Sequence, residues 1–124
     1  MPAPHIAQTS PPTRRLRGRI DVDRQECERV VGAVAGLLRV PVAQIKGRGR
    51  GARIVFARQV AMYVANTGLG IGAGRIARCF GRDRSTVQYA CRRMEDRRDD
   101  PSLDCQLDLI ERLIREEGKA THDR

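Results

Sequence analysis

The sequence predicts an all-α fold, a compact helical bundle containing a helix-turn-helix. Apolar residues recur at helical spacing along most of the chain. Aromatic residues make up 3% with no Trp, so the core is one of Val, Leu, Ile and Ala, and no aromatic-rich strand candidate exists. Residues 80–91, FGRDRSTVQYAC, join a tight glycine turn to a helix that is apolar on one side and donor-rich on the other. The length of 124 residues suits one domain with a modest core.

Residues 1–19 hold four of the six prolines and the cluster Arg14, Arg15, Arg17 and Arg19, with almost nothing to bury, and read as a disordered basic arm. The helix-turn-helix domain then occupies residues 20–118. Its first helix is expected from Asp21 or Asp23, where Asp23 and Glu26 have capping-box spacing, with the stripe Cys27, Val30, Val31, Val34, Leu37 and Leu38. Pro41 ends it or opens a short helical turn over residues 42–45.

Residues 46–53, KGRGRGAR, alternate basic residues with glycine, so no regular element runs through them. Glycine lets the backbone approach a surface closely, and the interleaved Arg side chains can reach phosphates or a narrow minor groove. The same composition also suits a solvated connector. A second long helix is predicted over about residues 55–66, with Phe56, Val60, Tyr63 and Val64 inward. Residues 66–74, NTGLGIGAG, read as a glycine-rich break; a phosphate loop would need a Gly-Lys-Ser/Thr ending and a preceding strand, and both are missing.

Helices over residues 74–80 and about 84–98, joined by Gly81, Arg82 and Asp83, have the length and turn of a helix-turn-helix. Asp83 is placed to cap the second. There Val87, Ala90, Cys91 and Met94 fall at i, i+3, i+4 and i+7 and form the buried stripe, facing Ile76, Ala77 and Phe80. Arg84, Ser85, Gln88, Tyr89, Arg92 and Arg93 take the opposite face. Asp99, Asp100 and Pro101 stop that helix. A last one, residues 102 to about 117, buries Leu103, Leu107, Ile110 and Ile114 before Gly118 ends it and residues 119–124 trail as a disordered tail.

The formal charge of +9 is concentrated in the middle: residues 46–98 carry 13 Lys plus Arg against three acids, and residues 99–124 carry eight acids against four bases. A basic centre beside an acidic flank is the electrostatic footprint of a nucleic-acid face. A membrane surface fits less well, because no helix pairs the charge with large apolar anchors. The four cysteines, separated by 52, 12 and 14 residues, lack the close pair from which zinc sites start, and three of them fall on apolar helical stripes and read as small core residues. No metal or cofactor is expected. His5 and His122 lie in the tails and no convergent catalytic group is present, so no enzyme is expected. With neither a signal-peptide pattern nor a run of eighteen apolar residues, the chain is expected to be cytoplasmic and nucleoid-associated, with reduced thiols. The lack of a heptad extension favours a monomer.

Residues 57–65, ARQVAMYVA, and 80–95, FGRDRSTVQYACRRME, resemble the C-terminal DNA-binding domain, domain IV, of the bacterial chromosomal replication initiator DnaA. The first is similar to the helix after that domain's basic loop, and the second to its signature, written FGGRDHTTVLHACRKIE. The resemblance covers about residues 24–115 and implies a DnaA domain IV-like, Trp-repressor-like bundle. In such a bundle the recognition helix enters the major groove and the basic loop reaches the adjacent minor groove. Arg82, Asp83, Ser85 and Thr86 stand where the family's Arg, Asp and paired Thr lie, and Arg58 matches the Arg of its Ala-Arg-Gln segment. Four departures fall on the base-reading edge: one glycine of the double Gly is absent, Arg84 replaces a His, Ser85 a Thr, and Tyr89 a second His. Arg84 is expected to raise nonspecific affinity and alter the base preferred beneath it. No counterpart of the initiator's ATPase module is found, so an initiator acting alone is not expected.

The resemblance implies a sequence-preferring double-stranded DNA-binding regulator of replication or transcription without ATPase activity. Arg84, Ser85, Thr86 and Gln88 would read the major groove. Arg48, Arg50 and Arg53 would hold the minor groove or backbone, with Arg58, Arg92, Arg93 and Tyr89 on phosphates. The alternative is an interaction module that modulates initiation by competing with the initiator for regulatory protein partners, which the altered edge and acidic last helix favour.

Overall fold

A computed structural model of the chain describes residues 10–122, with side chains from Asp21 to Gly118. Among the described residues there are six helices and no strand: α1 Ser10–Leu38, α2 Val42–Lys46, α3 Ala52–Leu69, α4 Ala73–Phe80, α5 Arg84–Arg97 and α6 Pro101–His122.

The central element is α3. From Ala57 to Ala65 every residue except Gln59 is buried, so this helix has no solvent face along its middle. It is apolar nearly all round because it packs against every other helix, α1, α5 and α6 most extensively. Val60, Val64, Ile76, Val87, Met94, Leu107 and Ile114 are almost completely buried in one shared core, each such aliphatic contributing about 1.5–3 kcal/mol on leaving water. The stripes predicted for α5 and α6 are the ones that pack inward, except that Cys91 is half-buried.

Three helix ends, one face residue and the extent of the basic loop differ from the sequence expectation: Lys46 closes α2, and Ala52 and Arg53 open α3, so the loop is residues 47–51. α1 begins at Ser10, so residues 10–19, expected in a disordered arm, are helical. Pro11 and Pro12 fall in its first turn, where the missing N–H costs nothing and the fixed φ suits a helix. Residues 1–9 of the expected arm lie outside the described residues. Leu37, expected in the α1 stripe, is 48% exposed at the helix end, on a groove with Gly32, Gly36 and Leu113. α3 runs three residues past Asn66. Gly70, at φ 70°, ends it in the left-handed conformation, and Asn66 Nδ2 braces the turn by donating to the Ile71 carbonyl at 2.9 Å.

Gly118 does not terminate α6, which continues to His122; residues 123 and 124 of the expected tail lie outside the described residues. Gly118 is buried beneath Arg29, and a Cβ there would lie 2.9 Å from the guanidinium. Its smallness lets Arg29 pass over α6 and donate to the Ile114 carbonyl at 2.6 Å. Glycine here serves close approach rather than a helix stop.

Candidate nucleic-acid interface

α4 and α5 form the helix-turn-helix. Gly81, at φ 63°, is the left-handed residue that ends α4, and the Arg82 N–H returns to the Ala77 carbonyl at 2.9 Å. Asp83 occupies the N-cap of α5 with extended backbone, but its carboxylate makes no cap hydrogen bond, contrary to the expected role. The leading N–H groups of α5 therefore have no side-chain cap, and the positive end of the helix dipole faces outward beside Arg84.

Beneath α5 lie Val87, Ala90 and Met94, which fix its rotation. That rotation exposes Arg84, Ser85, Thr86, Gln88, Tyr89, Arg92 and Arg93 together on the outer side. Among the described residues none of these seven has an ion pair or side-chain hydrogen bond within the chain. Tyr89 is 54% exposed, an amphipathic ring kept in water.

The basic loop, residues 47–51, lies between α2 and α3 and is fixed from within. Arg58 is buried, 7% exposed, and spends its guanidinium on three carbonyls: Nε donates to Ile45 at 2.8 Å, Nη1 to Gly49 at 3.0 Å and Nη2 to Gln44 at 3.0 Å. Burial lowers its pKa, and nearby Arg82 lowers it further. Arg58, expected on a phosphate, is thus engaged within the protein, where its fork of donors spans three carbonyls and clamps the loop. The sequence signal was an Arg embedded among Ile54, Val55, Phe56, Ala57, Val60 and Ala61 on an otherwise apolar helix.

Arg82 binds the Gly47 carbonyl and so joins the helix-turn-helix corner to the loop. Arg53 donates to the carbonyls of Leu38 and Arg39 at 3.1 and 3.0 Å, which caps the end of α1 where Arg39 takes a left-handed φ of 57°. Arg48 and Arg50 are exposed and, among the described residues, have no partner. Of the three arginines expected on the loop, Arg48 and Arg50 present unspent charge, while Arg53, together with Arg58 of α3 and Arg82 of the turn, holds the frame.

A network missed by the sequence reading supports α5 from behind. Arg98 donates to Tyr63 Oη at 2.8 Å, Asp104 at 2.6 Å, Asp108 at 2.9 Å and Glu111 at 2.7 Å, and the Tyr63 hydroxyl donates to Glu95 at 2.6 Å. Burial acts to lower the Arg98 pKa, but the hydrogen bonds to Asp104, Tyr63, Asp108 and Glu111 outweigh it and hold the group above its usual range. Arg97 stacks on the Phe56 ring at 5.0 Å. α5 thus presents its first turns outward while its end is tied to α3 and α6. Three acids of α6, Asp104, Asp108 and Glu111, are thus partners of one arginine.

No acid occurs between Glu28 and Asp83, while ten Lys or Arg do. Among the described residues there is no cluster of metal-ligand type and no helix long and apolar enough to cross a membrane. Two helices meeting at a left-handed glycine, the second with a basic and hydroxyl-bearing edge unspent, define a DNA-binding helix-turn-helix domain.

The chain belongs to the bacterial DnaA helix-turn-helix family, whose description, bacterial dnaA protein helix-turn-helix, matches residues 27–94. It is 35% identical over 88 residues to chromosomal replication initiator protein DnaA 2 of Chlamydia pneumoniae, covering 70% of this chain and 20% of that protein. It is 38% identical over 97 residues to chromosomal replication initiator protein DnaA of Bartonella quintana, covering 77% and 20%. The chain thus spans about a fifth of the length of these relatives. The fold is similar to the crystal structure of a DNA replication initiation factor, with TM-score 0.75 and 26% identity over 82% of this chain and 32% of that one. It is also similar to replication initiator DnaA bound to AMPPCP and single-stranded DNA, with TM-score 0.72 and 25% identity over 82% and 31%.

Proposed function

We propose that these residues bind double-stranded DNA with sequence preference and act in the control of replication or transcription. The observation that carries this reading is the outer edge of α5, where seven polar or basic side chains stand exposed and unspent above a stripe that fixes their direction. Arg84, Ser85, Thr86 and Gln88 read base edges in the major groove, since Arg takes guanine bidentately and Gln takes adenine. Arg48 and Arg50 enter the minor groove or lie on the backbone, and Tyr89, Arg92 and Arg93 take phosphates. Asp83, Arg82, Arg53 and Arg58 shape the surface. Binding of this kind needs no nucleotide, metal or cofactor from these residues.

The altered recognition edge supports a second reading, a module that competes with an initiator for regulatory proteins. Charge reversal separates the two. Arg84→Glu with Arg92→Glu removes duplex binding and regulatory activity together under the first reading. Regulatory activity that persists after duplex binding is lost supports the second.

A further inference from the structure

A second basic concavity lies between α1 and α4, away from the exposed edge of α5. It is lined by Asp23, Arg24, Arg75, Arg78 and Cys79. Arg75 and Asp23 form a bidentate pair, Nε to Oδ2 at 2.7 Å and Nη2 to Oδ1 at 2.6 Å, with Asp23 buried. The pair pins α4 to α1 and, among the described residues that line the concavity, sets a guanidinium against its one carboxylate. Arg24 and Arg78 are then surplus charge: both are exposed, and among the described residues neither has an ion pair or side-chain hydrogen bond. α4 itself carries no acid.

The position of this charge relative to the recognition helix is fixed by Gly74. A Cβ on Gly74 would meet Arg84 Cδ at 4.0 Å, so the first side chain of α5 lies over the start of α4. Arg78 is one turn further along the same α4 face. A continuous basic path therefore runs from the α5 N-terminus along α4 to Arg78 and across to Arg24 on α1. In helix-turn-helix docking the first helix crosses the sugar–phosphate backbone while the second enters the groove.

We infer that Arg24 and Arg78 clamp a backbone phosphate of duplex DNA that lies outside the segment covered by α5 and the basic loop, with the Asp23–Arg75 pair as the rigid floor of the clamp. This rests on the duplex-binding reading above. Two guanidiniums aimed at one oxyanion supply sequence-independent affinity, and the consequence is a footprint longer than the bases read.

The test compares the Arg24→Gln/Arg78→Gln double variant with the unaltered protein on two duplexes sharing one preferred site. One is trimmed to about one helical turn, roughly ten base pairs, and the other is extended by a turn on each side. Arg112→Gln/Arg115→Gln on exposed positions of α6 is the control for lost net charge. On the extended duplex the clamp variant is expected to lower the slope of log affinity against log salt by about 0.9, the share of one phosphate, which shrinks the affinity ratio between 50 and 200 mM salt by about 3.5-fold. On the trimmed duplex its slope is expected to match that of the control. Equal slopes for clamp variant and control on the extended duplex, or equal losses on both duplexes, overturn the clamp while leaving duplex binding intact. Unaltered protein that binds neither duplex sinks both readings. Inorganic phosphate at matched ionic strength is expected to compete no better than chloride; selective competition lost in the clamp variant would reassign the concavity to a free phosphate.

Discussion

Arg58→Ala removes three hydrogen bonds from a charged donor to the carbonyls of Gln44, Ile45 and Gly49, and with them the link between α3 and the basic loop. Hydrogen bonds to charged groups contribute about 1.5–3 kcal/mol each, and the two at the rim can be partly replaced by water, so the expected loss is about 3 kcal/mol. For a domain of this size that is a fall of roughly 12–24 °C in Tm. Arg58→Lys keeps the charge, but one ammonium cannot span three carbonyls, and it is expected to restore less than half of the loss. Urea unfolding followed by circular dichroism measures stability, and anisotropy titration of a labelled duplex at several salt concentrations measures binding. Both variants are expected to bind more weakly, because the loop must be ordered on binding, yet with the salt slope of the unaltered protein. A stability loss under about 1 kcal/mol, a slope reduced by about 0.9 in Arg58→Ala and full recovery in Arg58→Lys would refute the clamp and make Arg58 a phosphate contact.

Arg48→Ala/Arg50→Ala is expected to leave unfolding midpoints unchanged and to reduce the salt slope by about 1.8, checked in the same titration, because these side chains are exposed and unspent. Gly118→Ala places a methyl 2.9 Å from the tip of the flexible Arg29 side chain, so the guanidinium is expected to swing aside and give up its bond to the Ile114 carbonyl, a loss of about 1–2 kcal/mol against a gain of about 0.5–1 kcal/mol in helix propensity; in the Arg29→Ala background the same change is expected to stabilise, read in a double-mutant cycle by urea unfolding. The Tyr63 phenol is pushed up to about 12, first by burial and then by its hydrogen bond to Glu95, with Arg98 opposing. The fold therefore prefers the neutral phenol. The stability this contributes is fully present below about pH 10 and is lost as pH rises through 12. Tyr63→Phe is expected to cost about 1–2 kcal/mol at pH 7 and to flatten that alkaline loss, measured by unfolding across pH 7–12.

The helices were legible because their buried stripes follow the helical period. Leu103, Leu107, Ile110 and Ile114, or Val87, Ala90 and Met94, leave one choice of inward face. The exposed edge of α5 follows directly, since burying one stripe fixes the opposite one. What the sequence concealed was long-range. Arg58 and Arg53 look like neighbours of Arg48 and Arg50 in a basic run, and only the fold brings the carbonyls of Gln44, Ile45, Leu38 and Arg39 to their guanidiniums. Gly118 looks like a helix stop until Arg29, far away in sequence, crosses over it. Arg98 looks like one more base at the end of a basic helix until α6 folds back and supplies three carboxylates.

The central claim is that the α5 edge reads sequence in duplex DNA. Fluorescence anisotropy of the purified protein on an initiator-box duplex and a scrambled duplex, with heparin competitor, at low and physiological salt, tests it most directly. Box-selective binding that survives physiological salt, and is lost in Arg84→Ala/Gln88→Ala while Arg112→Gln/Arg115→Gln retains it, is the expected result. Weak and equal binding to both duplexes that vanishes with salt would contradict base reading by α5.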